Sequence, residues 1–283
     1  MGLPLKAAPL RVIPTGAVSP ALKRDIALKA ARGDILAFID DDAYPRADWL
    51  KNALRDFQDA AIVAVGGPAV TPAEDSFRQK ASGFIYSSFL VSAGFTYRYL
   101  PGKKRRVDDF PSCNFLLRRE TMRRLGGFNT AFWPGEDTKL CLDIVNSGGK
   151  ILYDPEALVF HHRRPVFKAH LRQVASYALH RGFFVKRYPG NSLKLTFFIP
   201  SLFLLSLFLG APAAFFLPAL RQVFLFALGL YGLAVFLASL GAGARMFFLV
   251  FPGIILTHLA YGLYFLKGLF SLRLSEEPLT TND

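Results

Sequence analysis

Cysteine is nearly absent from this chain of 283 residues, with Cys113 and Cys141 the two present. Two thiols cannot build a disulfide framework, so the small disulfide-stapled secreted classes are excluded and a reducing compartment fits. Acidic residues are also few, 21 against 34 Lys and Arg, for a net charge of +13. The shortage of charge is sharpest toward the C-terminus: residues 193–283 hold three Asp or Glu and five Lys or Arg, so the first 192 residues carry +11 of the net charge. A signal-peptide pattern is lacking, because Met1 to Leu10 is too short and too rich in proline for an apolar h-region. That absence predicts that the charged part stays in the cytoplasm. Zinc-finger, basic-zipper and RNA-binding patterns are missing too, which argues against nucleic acid as the partner of the positive charge. Anionic lipid headgroups and a phosphate-bearing small molecule remain.

What the chain has in abundance is apolar sequence, 52% of its residues. Much of it is gathered into three stretches, about 195–220, 223–240 and 247–266, each near or above the ~18–20 residues that a membrane-spanning helix needs. Arg221 and Arg245 fall in the gaps between them. Residues 165–192 come before, with Phe167, Leu171, Val174, Phe183 and Phe184 set among Lys168, Arg172, Arg181, Lys186 and Arg187. This mixture predicts interfacial helices on the cytoplasmic face of a membrane. Three spans after a cytoplasmic part would place the tail, 273–283, on the far side.

The first 164 residues read as an α/β domain. Ser19-Pro20 is an N-cap followed by proline in the first turn, and the helix it opens is closed by Gly33. Strands are expected over 34–39, 61–65, 115–117, 151–153 and 158–160, and helices over 45–57 and 136–147. The alternation of helix and strand predicts a parallel sheet. Lys103 to Arg106 reads as a solvated loop, and 75–99 is aromatic without a clear period.

Three consecutive carboxylates, Asp40-Asp41-Asp42, end the apolar run Ile35 to Ile39. Charges at the end of a buried strand call for a cation there, and a divalent metal carrying a phosphate supplies one. An acidic turn capping the next helix is the competing reading. Downstream, Gly135-Glu136-Asp137 puts a carboxylate pair at a helix start, His161-His162 ends a strand, and Gln173 and Arg181 lie on the expected interfacial helix. Asp and a single imidazole suit Mn²⁺ or Mg²⁺ better than structural zinc. Asp137, at a helix N-terminus, is expected to keep a depressed pKa and to accept a proton from an attacking hydroxyl. Arg181 could pair with diphosphate oxygens.

As an ordered set, these motifs resemble family 2 glycosyltransferases of the GT-A (Rossmann-like) fold. The resemblance rests on residues 31–45, Pro111-Ser-Cys-Asn-Phe115, Gly126-Gly-Phe-Asn129, Gly135-Glu-Asp137, and Tyr153-Asp-Pro155 leading to Phe160-His-His162. It implies that Asp40 and Asp42, with Asp41 between them, bind metal and nucleotide-sugar, together with His161, preferred over His162, at the metal. From the residues themselves Arg181 and, from Lys23-Arg24-Asp25, Arg24 are expected to contact the donor, a plain surface helix being the competing reading of Arg24. The resemblance makes Asp137, paired with Glu136, the base. The longer spacing from Gln173 to Arg181, with no Trp following, argues against processive polymerisation. The family's opening strand–helix–strand has no counterpart before Arg11-Val12-Ile13, so the resemblance implies an N-terminally incomplete domain that binds nucleotide poorly. The implied function is metal-dependent, inverting transfer of a sugar from a nucleotide diphosphate to a lipid-linked or cell-envelope glycan acceptor, by a multi-pass protein of the cytoplasmic (inner) membrane. A polyprenyl-phosphate acceptor and an inactive membrane-anchored binding subunit are the alternative readings.

Overall fold

The computed structural model describes residues 10–276. The expectations for residues 1–9, and for the tail beyond residue 276, lie outside them.

Ser19 opens α1 (Pro20–Ala30): its side chain accepts the Leu22 N–H at 3.3 Å. The helix ends at Ala31, whose extended backbone turns the chain before Gly33 is reached. β1 (Ile35–Ile39) and the short β2 (Ala43–Pro45) follow, so Pro45 lies in a strand and not in the next helix. That helix, α2 (Trp49–Asp56), is therefore shorter than expected. Trp49, Ala53 and Phe57 face the core, whereas Leu50 and Leu54 stay exposed. β3 (Ile62–Gly66) is buried along its whole length, and β4 (Ala69–Val70) follows it. The aromatic stretch then folds as α3 (Phe77–Ser87), α4 (Phe89–Ser92) and a 3₁₀ turn (Ala93–Arg98). Ser76 and Gln79 cap α3 reciprocally, a signal readable in the sequence as Ser-x-x-Gln.

β5 (Arg105–Val107) takes up the end of the basic run, which is thus an edge strand and not a loop. Lys104 is held by Asp56 and, at 3.0 Å, by Asp154. β6 (Asn114–Arg118) leads into α5 (Arg119–Leu125), which Gly126 ends at a left-handed φ of 78°. α6 (Glu136–Asn146), β7 (Lys150–Tyr153) and β8 (Val159–His161) complete the α/β part.

The main sheet runs β1-β6-β3-β7-β5. It is mixed and not parallel as expected: β6 lies antiparallel between β1 and β3, β3 and β7 are parallel, and β5 is antiparallel to β7. The long excursion from β4 through β5 brings β6 back from the opposite end of the sheet, which a local helix–strand alternation cannot report. A second sheet, β2-β8-β4, pairs Ala43 with His161. Asn114 ties the two sheets together, donating to Gly67 O at 2.8 Å and Ala157 O at 2.7 Å while accepting from the Trp49 indole at 2.8 Å. The core is dense in aromatics, with Phe110, Phe115, Phe128 and Tyr153 fully buried.

The remainder is helical: α7 (Lys168–Arg187), α8 (Pro189–Ser192), α9 (Leu195–Leu205), α10 (Ala211–Phe216), α11 (Pro218–Leu240) and α12 (Ala244–Phe270). A π-helical turn, Ser206–Gly210, joins α9 to α10 into one apolar rod. Three helices, Leu195–Phe216, Pro218–Leu240 and Ala244–Phe270, are long and apolar enough to cross a membrane. α7 does not lie free on a surface, because Val174, Ala178, Phe183 and Phe184 are buried between the α/β part and α12.

Candidate active site

The register of β2 against β8 decides the first feature. Ala43 opposite His161 puts the end of β1 beside the end of β8, and His161 Nε2 lies 2.9 Å from Asp42 Oδ1. Asp40, Asp42 and His161 each offer a ligand atom, and these atoms all lie within 4.8 Å of one another. An octahedral ion with bonds of about 2.1–2.2 Å needs donors roughly 3 Å apart along an edge and about 4.3 Å across. Two carboxylates and one imidazole at these separations fit a hard divalent cation. Asp41 is exposed and is not a member of this cluster. His162 turns to Asp75 instead, at 2.5 Å. That bond raises the His162 pKa.

Cationic side chains of the chain itself approach the cluster. The hydrogen bond from His161 holds the Asp42 carboxyl below its usual range, and Arg164 approaches at 3.3 Å. Arg24 donates one guanidinium nitrogen to Asp40 at 2.9 Å and the other to Glu136 at 2.8 Å. Burial opposes the Arg24 charge, yet the two carboxylates outweigh it and raise its pKa. Arg24 thus joins the strand-end cluster to the start of α6. The neighbouring Asp25 accepts from Phe128 N at 2.7 Å and Asn129 N at 3.1 Å, fixing the Gly-Gly-Phe-Asn turn. A Cβ on Gly127 would fall 2.3 Å from Asp25 Oδ1, so a glycine is required at that close approach.

Glu136 is buried and already occupied: its second oxygen accepts Gly135 N–H at 3.0 Å. Asp137 is the more open carboxylate of the pair. Thr138 N–H at 2.8 Å and Ser112 N–H at 3.4 Å orient its two oxygens. Here the structure corrects the expected depressed pKa. Burial, with the charges of Glu136 and Asp109 added, raises Asp137 to about 7, against the pull of Arg181. The helix dipole is a surface-scale effect of ~1 kcal/mol and loses to desolvation beside two like charges.

Arg181 reaches this region from α7. It donates to Asp109 Oδ2 at 2.8 Å, Thr138 Oγ1 at 3.2 Å and Ser192 Oγ at 3.2 Å, and stacks on Phe197. Asp109 also accepts Arg98 at 3.4 Å. Sequence reasoning passed over Asp109, Arg98 and Arg164, which acquire their places through loops or a distant helix, and met Ser112 only as part of the Pro111 to Phe115 motif. Gln173 accepts from Tyr86 at 3.3 Å and takes no part in the carboxylate cluster. Cys113 is buried between the two carboxylate groups, and burial with the Asp40 charge pushes its thiol up to about 12, so it is no nucleophile.

A strand-end carboxylate pair with an imidazole is joined by an arginine to a carboxylate at a helix start, a set of groups chemically able to hold a divalent cation and to exchange a proton. Residues 8–126 match the family model described as Glycosyl transferase family 2. That match falls on the α/β part of the chain and agrees with the resemblance that its motifs carry. It is 28% identical over 177 residues to the pre-mycofactocin glycosyltransferase of Mycobacterium tuberculosis (strain CDC 1551 / Oshkosh), covering 62% of this chain and 37% of that protein. It is 31% identical over 159 residues to the succinoglycan biosynthesis protein ExoM of Rhizobium meliloti (strain 1021), covering 55% of this chain and 48% of that protein. The chain therefore spans less than half the length of these two relatives in the matched regions. The mannosyltransferase PcManGT from Pyrobaculum calidifontis, solved in complex with GDP-Man and Mn²⁺, matches with a TM-score of 0.44 at 21% identity, over 89% of this chain and 67% of that one.

Proposed function

We propose that this chain transfers a sugar from a nucleotide diphosphate to an acceptor hydroxyl, with inversion, at a membrane surface. The observation that carries the reading is the convergence of Asp40, Asp42 and His161 beside an arginine-linked carboxylate pair. Asp40, Asp42 and His161 would hold Mn²⁺ or Mg²⁺, which as a Lewis acid neutralises charge on a leaving diphosphate. Arg24 would keep its bond to Glu136 and turn its other nitrogen from Asp40 to a donor phosphate. Arg181 faces the same space and is the second cation available to the donor, and Asp41 lies at its solvent edge.

Asp137 takes the acceptor proton. A pKa near 7 leaves a substantial ionised fraction at neutral pH, and the ionised form is a stronger base than an ordinary carboxylate. The backbone N–H groups of Ser112 and Thr138 hold it in one orientation. Glu136 positions: it anchors Arg24 and the Gly135 turn.

The course of α7 supports a reading of the acceptor class. Arg181 and Tyr177 on this helix approach Asp137, and the opposite face of α7 packs on the apolar α12. A site so close to membrane-embedded helices suits a lipid-linked or envelope glycan acceptor, with the catalytic part in the cytoplasm. The test uses the purified full-length chain in lipid, a panel of nucleotide-diphosphate sugars and a lipid-linked acceptor extract, with nucleotide release and labelled product as readouts. Product that forms with Mn²⁺, stops with chelator and is lost in Asp137→Asn supports the proposal. Full turnover in Asp137→Asn would shift the reading to a phosphate acceptor, which needs no base. Turnover unaffected by chelation would remove the metal from it.

A further inference from the structure

Both ends of α12 touch the α/β part of the molecule. Near its start, Met246 and Val250 pack in one cluster with Ile85 of α3 and Val166, and a Cβ added on Gly253 would come within 2.4 Å of Ile85 Cδ1. One turn on, Thr257 Oγ1 lies 2.9 Å from His170 Nε2. Further along, a Cβ at Gly268 would lie 1.9 Å from Leu179 O, and a Cβ at Gly182 2.0 Å from Phe265 O. At the end, Lys186 donates to Ser271 O at 2.7 Å, and Leu274 is buried against Phe132, Phe183 and Phe184. Phe132 is three residues before Gly135. The contact runs along α7 for some 18 residues, about 27 Å at 1.5 Å per residue. A helix that crosses a bilayer ends on opposite sides of it, and this one begins and ends on the same body.

α9 to α11 behave differently. Lys194, just before α9, is held by Asp108 at 2.6 Å, and Gly241, just after α11, lies against Phe84. Between them the chain leaves the α/β part and returns, with Phe215, Phe216 and Leu217 exposed at the turn. Each arm is 22–23 residues long, enough to span. The basic residues are distributed accordingly. With α12 on the catalytic side, Lys194, Arg245, Lys267 and Arg273 lie there and Arg221 alone is at the far turn. A crossing α12 would move Lys267 and Arg273 to join Arg221, against the positive-inside bias.

We infer that the chain crosses the membrane twice, as the hairpin α9–α11, and that α12 lies in the plane of the membrane as a lipid-facing layer clamped to α7. The face of α12 turned from α7 carries Phe248, Leu256, Leu263 and Phe270, exposed and about two turns apart, a stripe fitted to acyl chains. Lys267, beside Tyr264, reaches from that face toward headgroups. Residues 271–276 then stay on the catalytic side, with Leu274 against Phe132 of the loop that leads into Glu136 and Asp137. This inference rests on the membrane anchoring proposed above, not on the transfer chemistry.

Single cysteines in the full-length chain test it: Asp34→Cys on the α/β part, Leu217→Cys at the turn and Ser275→Cys after α12. The chain is reconstituted in sealed vesicles of defined orientation and treated with a membrane-impermeant maleimide, with the unsubstituted chain as background. The expected result is that Asp34→Cys and Ser275→Cys label from one side and Leu217→Cys from the other. Labelling of Ser275→Cys from the side opposite Asp34→Cys would overturn the in-plane assignment. Labelling of all three from one side, in protein that resists alkaline carbonate, would overturn the two crossings. Release of the protein by carbonate would instead sink the membrane anchoring itself.

Discussion

At Asp137 a carboxylate is costly to ionise, and on the proposed reaction that cost makes it a stronger base. Its ordinary value is 3.8 and its folded value about 7, so the folded state holds the proton more tightly than the unfolded one. Stability from this group therefore falls as pH rises from about 4 to about 7, and Asp137→Asn removes that loss. The expected outcome is a variant that melts higher than the parent at pH 8 and shows little difference at pH 4, with activity lower by roughly 10²–10⁴-fold. Equal melting at both pH values would place Asp137 in an ordinary solvated environment. Activity of the parent should rise through pH about 7, since only the ionised form accepts a proton, and a pH series of kcat/KM reads this directly. At the strand end, Mn²⁺ at about a hundred times its Kd should stabilise the protein by ~2.7 kcal/mol. Asp42→Asn should abolish that increment while His162→Gln keeps it, as a thermal melt with and without Mn²⁺ would show. Loss in His162→Gln but not in Asp42→Asn would move the metal to the Asp75 side. The triplet, the Glu-Asp pair and the paired histidines were legible as residues because each is an unusual type at the end of an apolar run. Their pKa values were not, because Asp109 and Glu136 act on Asp137 through space.

Among the elements, the pairing of α7 with α12 depends on glycine. Gly182 and Gly268 bring backbone against backbone, so a side chain at either position meets a carbonyl that cannot move without shifting the helix. Gly268→Val is expected to destabilise by about 1–3 kcal/mol or more and to lower activity, because the shift passes to Arg181 and Tyr177. Gly229→Ala, on the open side of α11, has no neighbour within 4 Å and serves as the neutral control. Comparable melting of the two variants in lipid would show that α7 and α12 are not in close contact. Most elements were readable from the sequence to within a few residues, because caps, proline and apolar period act locally. The exceptions have local causes as well: Pro45 entered β2, and α2 shortened accordingly. The partner of each element was not readable. β6 carries the same apolar signature whether it lies parallel or antiparallel, and a stretch such as 247–266 is equally apolar whether lipid or protein covers it.

On the scale of the whole molecule, the α/β part and the apolar helices are packed as one body. Ile85 of α3 and Val166, just before α7, pack in one apolar cluster with Val250 and Ile254 of α12. A chain ending at residue 192 should therefore expose this face and aggregate, or bind detergent, in size-exclusion chromatography. A monodisperse, detergent-free product with the parent's melting temperature would show that the α/β part is independent of its helices. By itself the sequence determined the division into a charged α/β part and an apolar part, and the unusual residue types, carboxylates and imidazoles, that end its apolar runs. Those properties follow from composition and short-range pattern, which act on residues a few positions apart. Tertiary structure alone decided that Arg24 bridges Asp40 to Glu136 across 112 positions, that Asp137 holds its proton to near neutral pH, and that α12 returns along α7. Each of these is set by long-range contact and by exclusion of water, and neither quantity is written in any local stretch of the chain.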